Sequence, residues 1–106
     1  MSPPALGAAW ARAERVVGRR IGAAYVLVRL VARDADLDSI LNLNRVAVFI
    51  WEQLDRARTG EAIVQAVVER FDVERARAEV DTLELLGTLL ERNAIVPATP
   101  ALPDRR

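Results

Sequence analysis

The hydrophobic positions of the chain change their spacing at Leu43. Upstream, Ser39, Ile40, Leu41, Asn42 and Leu43 make a short, mostly apolar run of strand character. Downstream, apolar residues at 43, 47, 50, 51 and 54 trace one helix face, and Asn44 sits where a side chain caps a helix by accepting a backbone N–H bond. Trp51 falls on that inward face and is predicted to be buried. Two β-rich runs come earlier, over residues 16–21 and 25–31. Gly22 and Ala23 between them put glycine first in a two-residue loop, as a type II′ turn requires, so a hairpin is predicted. In its second strand Val26, Val28 and Leu30 are purely aliphatic and are expected to be the buried face, opposite Tyr25, Leu27 and Arg29. Arg33, Asp34, Asp36 and Asp38 then mark a solvated connection to the strand at 39–43.

Past the first helix, residues 55–58 form a polar break, and Thr59 caps a second helix with apolar positions Ala62, Ile63, Ala66, Val67 and Phe71. A third helix is expected from Asp72 or Val73 to near Asn93, which suits the left-handed position after a helix end. At roughly 100° per residue this helix carries two apolar stripes. One holds Ala78, Thr82, Leu85, Leu86 and Leu89; the other holds Ala76, Val80, Leu83, Gly87 and Leu90. Only Arg77, Asp81, Glu84, Thr88 and Glu91 remain as a polar arc. Either the helix packs on two neighbours, or part of the second stripe lines a groove for a partner. Ile95 and Val96 are expected to fold back on the core. The pattern predicts three short strands, enough for a small sheet, followed by three α-helices, an α+β arrangement. Residues 1–13, alanine- and proline-rich with Trp10 outside the core, are expected to be a flexible lead-in, and residues 98–106 a disordered tail spaced by prolines.

A length of 106 residues fits one such domain, and 52% hydrophobic residues suffice for one core. Fifteen acidic residues balance fifteen basic ones, all arginine, which leaves no electrostatic footprint for nucleic acid or an anionic membrane. The absence of cysteine, histidine and lysine removes disulfides, thiolate and imidazole chemistry, Schiff bases and the usual zinc or iron ligands. No apolar run reaches the length of a membrane span, and the reading is a cytoplasmic protein without cofactor or metal. Ser2 and Ser39 have no histidine to activate them. Asp34, Asp36 and Asp38 lack the glycine and distal glutamate of an EF-hand, and Asp81 with Glu84 reads as surface charge. The chain is not expected to be an enzyme.

Several segments in order are similar to the PqqD proteins of pyrroloquinoline quinone biosynthesis and the related recognition elements of ribosomally synthesised, modified peptides. They are residues 20–28, residues 39–44 running into 49–55, Arg58 and Thr59 with Ile63, residues 71–73, Asp81, Leu85, Leu86, Leu89, and a closing Ala94, Ile95 and Val96. The resemblance, which covers residues 14–97, implies a winged-helix-like module, a three-stranded antiparallel sheet followed by three α-helices, that binds the leader segment of a precursor peptide as an added strand and hands it to a modifying enzyme, a radical SAM enzyme or a leader protease with a cyclase. The implied contacts are Ser39, Ile40, Leu41, Asn42 and Leu43 on the strand, with Ala78, Asp81, Thr82 and Leu85 on the third helix. Arg56, where the family pattern has glycine, and Gly60 and Ala62, where it has acidic residues, depart from it by about 1 kcal/mol each of local stability. Two other readings are a winged-helix DNA-binding regulator, opposed by Asp81, Glu84 and Glu91 on the third helix, and a homodimer interface on its second stripe.

Overall fold

The computed structural model describes residues 6–30 and 37–98, with the backbone alone at Leu37 and Asp38. The predicted hairpin is present: β2 (Val16–Ile21) pairs antiparallel with β3 (Ala24–Leu30). Its two-residue loop is closed by the pair Ile21 and Ala24, and only Gly22 of the loop has positive φ, at 60°. β4 (Leu37–Leu43) adds on the far side of β3, so this sheet has the order β2-β3-β4 and β4 is an edge. The strand begins two residues before the predicted start, and a bulge opposite Val28 interrupts its register, because Leu27 faces Leu41 while Val28 faces Ser39.

Helix α1 (Arg45–Gln53) starts where the pattern changes period, with Asn44 Oδ1 accepting the amide of Ala47 at 2.8 Å. Thr59 caps α2 (Gly60–Phe71) in the same way, its Oγ1 accepting from Ala62 at 3.1 Å. The third helix, α3 (Arg75–Glu91), begins later than predicted, because Asp72 takes the left-handed conformation (φ 53°) to end α2. It stops as expected. Asn93 has φ 58° and donates to Leu90, while Ala94 donates to Leu89 at 2.8 Å, the paired bonds of a Schellman motif.

Two expectations are overturned. First, the N-terminal stretch is part of the fold. β1 (Ala9–Arg12) lies between β5 (Arg58–Thr59) and β6 (Ile95–Ala98) in a second three-stranded antiparallel sheet, order β5-β1-β6, and Trp10 is only 7% exposed within the core. Arg12 then reaches α1: its guanidinium stacks on Trp51 at 4.7 Å and donates to the Trp51 carbonyl at 2.7 and 3.2 Å. That cation serves the end of a helix whose last turn has no basic residue of its own.

Second, the core-facing side of β3 is the one that carries Leu27, which is completely buried among the helices with Trp51, Ile63, Leu86 and Leu89. Val26 and Val28 are buried but stand outside that cluster, and Leu30 is exposed. The polar neighbours on the core side are explained by their reach. Arg29 extends to the carbonyl of Arg92 (2.8 Å) at the end of α3, and Tyr25 stays half-buried at the hairpin end, its ring occupying the place a side chain on Gly18 would need. Trp51 is buried as the helix spacing predicted. The acidic residues Asp34 and Asp36, the proline-rich start and the tail from residue 99 lie outside the described residues.

Candidate functional site

The direction of each backbone group on β4 follows from the hairpin. Leu30 N–H donates to Arg15 at 2.8 Å, toward the β2 side, so Val28 and Val26 also bond that way and Leu27 and Tyr25 bond toward β4. Their partners Leu41 and Leu43 therefore spend their amides and carbonyls inside the sheet. Asn42, between them, points its N–H and C=O outward, off the edge.

Facing that edge is a cleft of about 390 Å³. Leu41, Asn42 and Leu43 form one side. Asn44, Val46, Ala47 and Ile50, from the start of α1, form its floor. The opposite wall is α3, through Arg77, Asp81, Glu84, Leu85 and Thr88. The size is that of sites that bury a few side chains. At one end the walls are tied together: Arg92, after the last turn of α3, donates Nη1 to the carbonyl of Ile40 at 2.9 Å, in the bulge. The wall is mildly acidic, because Arg77 is engaged by Asp81 at 3.3 Å while Glu84 has no ion-pair partner among the described residues.

Of the nine residues the sequence singled out, Leu41, Asn42, Leu43, Asp81 and Leu85 meet in the cleft. Ser39 and Ile40 lie at the bulge, beyond its lined part. Ala78 and Thr82 are a correction: both are 0% exposed and face the core, with Thr82 Oγ1 lacking a hydrogen-bond partner among the described residues. The second apolar stripe does not line the groove either; Ala76 and Val80 are exposed on another side of the helix. What lines it is the arc of Arg77, Asp81, Glu84 and Thr88 that reads as solvent-facing, together with Leu85. Arg77, Glu84, Thr88, Asn44, Val46, Ala47 and Ile50 were not singled out as site residues. The signal available for Ala47 and Ile50 is the inward face of α1, whose spacing places them beside Leu43.

No metal-binding cluster of acidic side chains and no helix long and apolar enough to cross a membrane is found among the described residues. The family model described as Coenzyme PQQ synthesis protein D (PqqD) matches residues 26–95, from within β3 to the first residue of β6. Among solved structures, one described as TbiB1 in complex with the TbiA(beta) leader peptide superposes with a TM-score of 0.62 at 25% identity, covering 80% of this chain and 93% of that one. No curated protein matches the chain.

Proposed function

This chain belongs to the PqqD family, and from that premise we propose that it binds the leader segment of a ribosomally made precursor peptide and presents it to a modifying enzyme. The observation that carries the reading is the Asn42 edge of β4, unpaired among the described residues and open beside the α3-walled cleft. An extended peptide added there satisfies the outward N–H and C=O of Asn42. Alternate side chains of the guest then fall between Leu41, Leu43, Val46 and Leu85, the general physics of strand addition. The similar structure described as a leader-peptide complex supports the same ligand class. In this reading the chain is a binding module, and catalysis belongs to the partner, a radical SAM enzyme or a leader protease with a cyclase.

The test is hydrogen exchange with and without the leader of the precursor encoded beside this chain. Saturable binding with slowed exchange at the Asn42 amide is expected. Absence of binding, or binding that leaves Asn42 exchanging freely, refutes strand addition at β4.

A further inference from the structure

On the other side of α1 lies a second cleft, of about 510 Å³. One wall is the α1 face carrying Arg45, Val48, Phe49 and Glu52; the hairpin end supplies Arg20 and Tyr25, and the end of α2 supplies Arg70 and Phe71. Its apolar surface is aromatic, with Phe49 and Phe71 meeting edge to face at 5.4 Å. Arginine lies over two of its three rings, Phe71 and Tyr25. Arg45 and Arg70 hold their guanidinium carbons 5.5 and 5.3 Å from the Phe71 ring centre, and Arg20 sits 5.3 Å from that of Tyr25. Two guanidinium groups on one ring are near enough for a single short acidic stretch to engage both.

Among the described residues none of these three arginines forms an ion pair, and Glu52 is the one carboxylate lining the cleft, so the site has a positive surplus. Arg45 is also the first residue of α1, where a cation opposes the helix dipole, so helix stability does not account for it. Leu43 and Asn44 line both clefts. The first cleft is tied at its bulge end by Arg92 and Ile40, and the two shared residues lie further along the chain from that tie.

We propose that the second cleft receives an acidic stretch of the same precursor peptide, directly flanking the strand-forming segment, with carboxylates on Arg45 and Arg70 and an apolar side chain against Phe49 and Phe71. This rests on the leader-binding reading and extends it. Continuity with the first cleft favours the same peptide as occupant, and the charge surplus sets its chemistry.

Tyr25 is the single tyrosine of the chain, so protein labelled with 3-fluorotyrosine gives one ¹⁹F resonance, from a residue that lines the second cleft and not the first. The probes are the leader of the precursor encoded beside this chain and the same peptide with its Asp and Glu residues changed to Asn and Gln. The acidic leader is expected to shift the Tyr25 signal. The amide form binds at least about fivefold more weakly and leaves the signal unmoved. Arg45→Gln with Arg70→Gln, both exposed positions, lowers the acidic leader to the affinity of the amide form. If the leader protects Asn42 but neither moves Tyr25 nor responds to the arginine changes, this inference falls and strand addition stands. A leader with no carboxylate near its strand-forming segment, or a Tyr25 shift produced only by the modifying enzyme, overturns it as well. If no form of the leader binds, both readings fall.

Discussion

Replacing Asn42 by proline removes one outward N–H from the β4 edge and nothing from the sheet's interior. In the free protein that group points off the exposed β4 edge, so the fold loses no ladder bond, and proline is tolerated at an edge whose preceding residue is already extended. In the complex the loss is specific. A net hydrogen bond of roughly 0.5–1.5 kcal/mol disappears and a leader carbonyl is left facing the ring, so leader affinity is expected to drop by about 1–2 kcal/mol, roughly 5- to 30-fold. Leu41→Pro is the contrasting change. Its N–H faces Leu27, a fully buried residue, so the fold itself should weaken by about 2–4 kcal/mol through a lost ladder bond and a stranded carbonyl. Anisotropy with labelled leader reads the first effect and urea unfolding reads the second. If Asn42→Pro stays folded and binds within twofold of the parent, or if the two prolines destabilise equally, the assignment of which β4 groups point outward is wrong.

Thr82→Val removes a buried, unpartnered hydroxyl at nearly constant volume, and is expected to raise stability by about 1 kcal/mol with leader affinity unchanged; a fall in affinity would return Thr82 to the peptide site. Asn44→Ala deletes the α1 cap and should cost about 0.5–2 kcal/mol of unfolding free energy while also weakening the leader, since the residue lines both clefts. Both tryptophans sit in the core, so acrylamide should quench the emission in a single shallow phase, and Trp10→Ala should cost about 3–5 kcal/mol; a steep, indole-like component would place Trp10 back in solvent.

Local chemistry made the order of elements readable: glycine at the hairpin turn, Asn44 and Thr59 as caps, Asn93 at the helix end and the apolar face of α1 all act within a few residues of themselves. What escaped was set by distant partners. β1 is a strand because Thr59 and the stretch ending at Ala98 flank it, and Ala9, Trp10 and Ala11 alone carry no alternation to announce this. In the sequence Leu27 reads as outward-facing, because the reach of Arg29 and Tyr25 hides a core-facing position between two polar residues. In the candidate cleft, Leu41, Asn42 and Leu43 on the strand and Asp81 and Leu85 on the helix are legible in the sequence, and the rest of the helix wall is not. Periodicity separates apolar from polar, and this cleft uses a polar arc for one wall, so Ala78 and Thr82 were drawn in while Arg77, Glu84 and Thr88 were passed over.

The placement of β1 between β5 and β6 also governs when the protein can finish folding. The hairpin and the three helices close over short stretches of chain, but β1 needs partners from near the opposite end of the described sequence, Ala9 against Ala98 and Trp10 against Pro97. Among the described strand pairings this one closes the longest loop, and it is expected last. During synthesis Trp10 therefore waits, uncovered, until residues 95–98 have left the ribosome. A stalled or C-terminally trimmed chain carries its hairpin and helices with an open core, exposing an indole and an unpaired strand to whatever else is newly made nearby.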